Sequence, residues 1–257
     1  MRDTNPVPIA EYIPIRSIAM SAFKLLSVGT DAKTIKGEKK GYLTGILYLA
    51  PANTSGINVC AAATNGCKLG CLNLAGRAQI FPAIVQGRIR KTRQLFADRE
   101  AFKSQLRKDI AALVRKADRE GLIPCVRLNG TSDLPWLALS LAREYPHIQF
   151  YDYTKLPMAH TRTLPNYHLT FSHSESNDAE CLNALRNGLN VAVVFAVKRG
   201  HVLPDYWHGF KVIDGDVSDL RFLDVPGTVV GLRAKGPAKR DCSGFVVSNL
   251  IQIGAKI

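Results

Sequence analysis

Three cysteines stand within twelve residues, Cys60, Cys67 and Cys71, in the run Asn58-Val-Cys-Ala-Ala-Ala-Thr-Asn-Gly-Cys-Lys-Leu-Gly-Cys-Leu-Asn73. Thiolates this close along a chain can converge on one soft metal centre, and Gly66 and Gly70, each directly before a cysteine, are expected to let the backbone curl around it. Three protein ligands point to an iron–sulfur cluster: a 4Fe-4S core held by three thiolates leaves one iron open, and a 3Fe-4S core is the alternative. Zinc in a structural site takes four ligands, so it would need His173 or Cys242 as well. Free cysteines with a purely structural role are the third reading. For Cys242, in Lys239-Arg-Asp-Cys-Ser-Gly244, a small residue in a turn is preferred over a returning ligand. Lys68 would offset the thiolate charge or simply be exposed.

The loop needs elements to hold it, and the apolar pattern supplies them. Gly41–Pro51 reads as a buried strand ending at proline, with the cysteine loop directly after it. From Gln86 to Arg119 the period is helical, with Phe102, Leu106, Ile110, Leu113 and Ala117 as a buried stripe, Asp98 as an N-cap and Gly121 as the stop. Short apolar runs then alternate with helices: Pro124–Gly130, a helix near Trp136–Glu144, His147–Thr154, Tyr167–Ser172, a helix from about Asp178 to Asn187, then Leu189–Val197, Gly209–Asp214 and Thr228–Arg233. That alternation implies an α/β fold with a parallel sheet. Seven strands in this length, with no Gly-x-Gly-x-x-Gly after the first, lead us to expect a single-domain (β/α) TIM-like barrel, complete or incomplete, with an Fe–S cluster loop after its first core strand. Residues 1–40 are expected to be a peripheral segment and 41–257 the barrel-like domain.

In such a fold the strand ends share one mouth, and a polar group abuts each apolar run there. Asn129, Thr131 and Asp133 suit a polar substrate or, equally, ordinary turn chemistry, with Ser132 or Asp133 capping the next helix. Lys155, Lys198 and Lys235 would place cations around the mouth, apt for a phosphate, a carboxylate or a nucleotide.

The 257 residues carry a formal net charge of +13, which favours a polyanionic partner or an anionic substrate over a merely solubilising surface with no specific partner. Arg88, Arg90, Lys91 and Arg93 follow the cysteine loop and are candidates to clamp a nucleic-acid backbone, although their spacing spreads them over several helix faces. Phe81, Phe96 and Phe102 are the only aromatics nearby, too few for a base-stacking platform. The first residues lack an apolar leader and no stretch is long and apolar enough to span a bilayer, so a cytoplasmic location without membrane is expected. In that compartment six cysteines are not a disulfide framework, and Cys125 and Cys181, in apolar surroundings, read as core residues.

Two superfamilies bear on the cysteine motif. DNA-repair glycosylases use Cys-x6-Cys-x2-Cys-x5-Cys in an all-helical chain, which this is not. A three-cysteine loop after the first strand of a βα barrel looks more like the radical S-adenosylmethionine superfamily, whose usual spacing is Cys-x3-Cys-x2-Cys. Across residues 41–245 the chain resembles a group of bacteriophage proteins with a radical-enzyme-like barrel and an early cysteine cluster. The likeness is carried by Cys60–Cys71, Arg88–Arg93, Val126–Asp133, Tyr151–Lys155 and Ala234–Gly236. The resemblance implies a cluster ligated by Cys60, Cys67 and Cys71 in a viral accessory protein, with S-adenosylmethionine as a candidate cofactor, and leaves the reaction open. Two function classes therefore stand side by side. One is an Fe–S-dependent enzyme acting on a nucleotide, nucleic acid or other anionic substrate. The other is a non-catalytic, basic nucleic-acid-binding protein with a structural Fe–S or zinc site. A substrate-sized polar cavity reaching the cysteines would favour the first; a sealed cysteine site beside a continuous basic surface would favour the second.

Overall fold

A computed structural model describes residues 24–29, 32–71, 73 and 77–248. The seven expected strands form as β2 (Tyr42–Leu47), β3 (Ile123–Arg127), β4 (Gln149–Thr154), β5 (Tyr167–Ser172), β6 (Asn190–Phe195), β8 (Phe210–Asp214) and β9 (Val229–Arg233). Three further strands, β1 (Leu26–Val28), β7 (Tyr206–Trp207) and β10 (Val246–Val247), are too short to leave an alternating signature in sequence. The helices are α1 (Ala32–Glu38), α2 (Asn65–Leu69), α3 (Arg77–Ile80), α4 (Pro82–Ala97), α5 (Arg99–Glu120), α6 (Pro135–Glu144) and α7 (Asp178–Arg186).

The expected single helical run is two helices. Asp98, at φ −149°, ends α4 and N-caps α5, its side chain accepting from Ala101 N at 2.9 Å. Gly121 closes α5 in the left-handed region at φ 64°. The stripe Phe102, Leu106, Ile110, Leu113 and Ala117 is buried against Leu43, Leu47, Val126 and Leu128 of the sheet, which is why α5 lies along β2 and β3. Helix α6 starts at Pro135 with Leu134 as its N-cap and no side-chain cap. The expected cap by Ser132 or Asp133 is thus replaced by Asn129, whose Oδ1 accepts from Leu134 N and from the Ser132 hydroxyl.

The strand order is β1-β2-β3-β4-β5-β6-β9-β8-β7, and the seven long strands run parallel. Among the described residues nothing pairs the two edges, so the complete form of the expected TIM-like barrel does not occur and the sheet is open, mostly parallel and ten-stranded. Two features account for it. Antiparallel β1 and β7 cap β2 and β8 at the edges where closure would occur. The passage from β8 back to β9 also crosses the face opposite α5, where Leu220 packs with Cys125 and Tyr151, and Phe222 meets the rings of Tyr42 and Tyr151. That stretch covers the sheet face which a closed barrel would turn inward and fill with strand side chains.

The expected boundary at residue 41 falls inside the sheet. Leu25 and Leu26 are in the core, and their amides donate to the Asp109 carboxylate of α5 at 2.6 and 3.1 Å. Residues 1–23 of the expected peripheral segment lie outside the described residues. No helix among the described residues is long and apolar enough to cross a membrane.

Candidate functional site

The carboxyl ends of the parallel strands open on one cavity of about 350 Å³, within the range of small-molecule sites. Cys60, Cys67 and Cys71 form part of its wall, and the strand ends contribute Arg127, Asn129, Thr131, Asp133, Tyr153, Lys155, His173, Asp216, Asp219, Arg233 and Lys235. Of the residues expected at the mouth only Lys198 is missing: β6 ends at Phe195, and Lys198 is exposed in the turn beyond it.

The cysteine loop is pinned at its start and at the helix that follows. At its start Val59 O accepts from Asp133 N at 2.8 Å, and the Cys60 thiol points toward Thr131 O at 3.7 Å. Further along, Thr64 N-caps α2 by accepting from Cys67 N, while Glu175 accepts from the Thr64 hydroxyl at 2.6 Å and from Gly66 N at 2.7 Å. Strand β10 completes the wall. It pairs with β6 at Val194 and Phe195, beyond the point where β5 has left, and brings Phe245 over α2.

Gly66 and Gly70 are required for closeness rather than for the expected curl, since neither has a positive φ. A Cβ on Gly66 would meet Ser243 Oγ, Phe245 Cβ at 2.6 Å and Glu175 Oε2 at 2.9 Å; one on Gly70 would press the Phe245 ring at 3.0 Å. Gly66→Ala is expected to destabilise the fold by about 1–3 kcal/mol through overpacking. Gly87→Ala, in α4 with open space around it, should instead stabilise by roughly 0.5–1 kcal/mol. Urea unfolding of both variants checks the contrast, and equal effects would refute the packing argument.

All three loop cysteines are half-buried free thiols. Burial pushes the Cys60 thiol up to about 11, and its neighbours Cys71 and Cys67 add to the rise. Cys71 is raised for the same reason, against the pull of Arg88 and Lys155. These two cations stand where Lys68 was expected; Lys68 is exposed and outside the cavity wall. Among the described residues no three or more His, Cys, Asp or Glu side chains are grouped as ligands of a metal ion. A single zinc requires its sulfurs about 2.3 Å from one point. The three thiols share one cavity wall and influence one another's ionisation.

Neither candidate fourth ligand is well placed. Cys242 is exposed and outside the cavity wall. His173 does line the cavity, but its Nε2 is 2.9 Å from Asp178 Oδ1 and its ring stands edge-on to Trp207. Cys125 and Cys181 are buried core residues, as expected.

The polar strand-end residues mostly build the mouth itself. Asn129 donates its backbone N–H and side-chain amide to Asp152 at 2.7 and 3.0 Å, the Thr131 hydroxyl donates to Leu49 O, and Asp133 accepts from the Thr154 hydroxyl and from Lys155 N. Lys235 is paired with Asp216 at 2.6 Å, so its charge is already answered. Lys155 is not: its ammonium lies 5.6 Å from the Phe245 ring centroid and has no carboxylate partner among the described residues.

The basic residues on α4 do not form one gripping row. Lys91 is buried and donates to Leu25 O at 2.7 Å, burial holding its ammonium down at about 8. Arg88 is half-buried, donates to Asn73 Oδ1 and stacks 4.8 Å over Tyr48. Arg93 donates to Ser55 O at 3.2 Å, and Arg90 is exposed.

Arg127 and Phe245 are site residues that the strand-end reading passed over, whereas Glu175 and Asp216 belong to polar strand ends it included without a role. Arg127 alone left a signal: a charge inside the apolar run Pro124-Cys-Val-Arg-Leu, where a side chain must be buried with its charge.

Fold and site define a mixed α/β protein with an open, mostly parallel sheet and a strand-end cavity walled partly by three cysteines. The family model described as Gene product 88 matches residues 24–249, nearly all of the chain, and the protein belongs to that family. No curated protein and no solved structure matches the chain significantly.

Proposed function

We propose that Cys60, Cys67 and Cys71 hold a 4Fe-4S cluster in the cavity wall, and that the protein is an Fe–S-dependent enzyme acting there on an anionic substrate, with S-adenosylmethionine as a candidate co-substrate. A numbered gene-product family suits a phage-encoded protein working in the host cytoplasm.

The observation that supports this reading is the common cavity. Three thiols and the ends of the parallel strands meet around a space of substrate size, rather than lying sealed beneath a surface. A basic nucleic-acid-binding module is favoured less, because Lys91 is spent inside the fold and Arg88 is turned toward Asn73 and Tyr48.

A cluster so held would supply one-electron reduction or Lewis acidity at an iron that no protein side chain ligates. The chain's own residues do the remainder. Glu175 and Thr64 fix the helix that carries Cys67, Asp133 ties the start of the loop to β4, and Lys155 supplies a positive charge beside Cys71.

Anaerobic purification followed by iron and sulfide analysis and electron paramagnetic resonance tests the reading. About four irons and four sulfides per chain are expected, with a reduced-state signal that changes on adding S-adenosylmethionine. A colourless protein with stoichiometric zinc would refute the cluster. An unchanged signal would remove the co-substrate while leaving the cluster. Steeply salt-dependent DNA affinity without turnover would favour the binding module instead.

A further inference from the structure

Among the described residues five cations line the cavity: Lys36, Arg127, Lys155, Arg233 and Lys235. Three are engaged within the fold. Arg233 pairs with Asp214 and Asp216 and donates its other nitrogens to His201 O. Lys235 pairs with Asp216 Oδ1, and Lys36 donates to Asp216 O.

Arg127 is different. Its side chain is 5% exposed, yet it lines the cavity. Nη1 is bound to Asp219 Oδ2 at 2.8 Å, and the guanidinium lies 4.7 Å from the Tyr153 ring centroid, which restrains its plane. Nε is buried with no hydrogen-bond partner, and Nη2 has none either among the described residues. These two N–H groups form the side-on fork of a guanidinium, the edge that grips a carboxylate or phosphate through two parallel hydrogen bonds. A buried donor left unmade costs about 1–3 kcal/mol, so an unfilled donor on an arginine that lines a ligand-sized cavity is a poor structural choice and a good recognition element. Lys155, whose ammonium meets no carboxylate among the described residues, adds charge that neutralises an incoming anion.

We infer that Arg127 is the residue that binds the oxyanion of the substrate, a phosphate or carboxylate group taken up by its Nε–Nη2 fork, with Lys155 as the second cation of the same subsite. The inference rests on the enzyme reading above and names its substrate class. It replaces Lys198 and Lys235 as the anion-binding groups expected from sequence.

The test uses the full chain, with inorganic phosphate and acetate as separate probes in isothermal titration, on both iron-free and iron-loaded protein. Binding of at least one probe to wild type is expected. Arg127→Lys, which keeps the charge and loses the fork, should weaken it at least about ten-fold. Lys155→Met should weaken it several-fold, while Lys198→Met leaves it unchanged. A preference for phosphate or for acetate assigns the group that the substrate carries. If Arg127→Lys does not fold, the Lys155→Met titration and a phosphate-soaked wild-type crystal decide: density at the Arg127 fork supports the inference, and density elsewhere or none overturns it. No binding of either probe, or equal binding by Arg127→Lys, overturns it too. Iron with no anion binding leaves the cluster reading standing and sinks only this one. Anion binding without iron does the reverse.

Discussion

Replacing any one of Cys60, Cys67 or Cys71 with alanine is expected to lower the iron retained after anaerobic purification by at least about ten-fold, since loss of even an outer-shell partner costs that much in many metal sites. Separate anchors give the reason. Cys60 is placed by the pairing of Val59 with Asp133, whereas Cys67 and Cys71 ride on and just after a helix held by Glu175. With the loop fastened at its start and at α2, a missing thiolate cannot be replaced by sliding a neighbour. Cys125→Ala, Cys181→Ala and Cys242→Ser serve as controls, because two are buried away from the cavity and the third is exposed outside it. Full iron in a loop variant, or equal loss in a control, would sink the ligand assignment.

The second large effect concerns Asp152, which is 1% exposed behind the site. Its carboxylate accepts from Asn129 N, Asn129 Nδ2 and the Tyr167 hydroxyl, and the charge of Arg127 also favours ionisation. Burial outweighs these and pushes the carboxyl up to about 7. The unfolded chain ionises near the ordinary aspartate value of about 3.9. Between roughly pH 4 and 7 the folded state therefore holds the proton that the unfolded state has released, and stability falls as pH rises through this window. Below it both states are protonated, and above it both are ionised, so the slope vanishes on either side. The total is on the order of a few kcal/mol, at about 1.4 kcal/mol for each tenfold change in proton affinity between the two states. Asp152→Asn should flatten that part of the profile, measured by urea unfolding across pH 3–8 against wild type. A wild-type minus variant difference that is constant, or that rises with pH, would contradict the assignment. Because Asn129 holds the loop that carries Thr131 and Asp133, the same variant should also loosen the mouth where Cys60 sits.

Local pattern carried much of this architecture. Each long parallel strand is an apolar run bounded by polar residues, so all seven could be placed from sequence, as could the stripe of α5 and its Asp98 and Gly121 ends. That strand-end polar groups would meet in one mouth followed from parallelism, and Asn129, Thr131, Asp133, Lys155 and Lys235 do meet there with the three cysteines. Strands of two or three residues left no such trace, and the edge pairings they make were correspondingly invisible.

Closure and charge pairing were a different matter, because both depend on residues far apart in the chain. Whether seven parallel strands close is decided by the order β6-β9-β8, by the edge strands and by the Leu220–Phe222 stretch packed on the face opposite α5, none of which a hydrophobic period encodes. Which cations remain available is decided by where acids fall in space. The Asp216 carboxylate takes up Arg233 and Lys235 together and its backbone carbonyl, remote in sequence, accepts from Lys36, while the helix position of Lys91 turns it inward to Leu25. Residue type and short-range spacing thus determined which groups are able to do chemistry, the three cysteines above all. Only the tertiary fold decided which of the charged groups are spent on the protein itself, since a buried or paired charge is neutralised by its three-dimensional neighbours and not by those beside it in the chain.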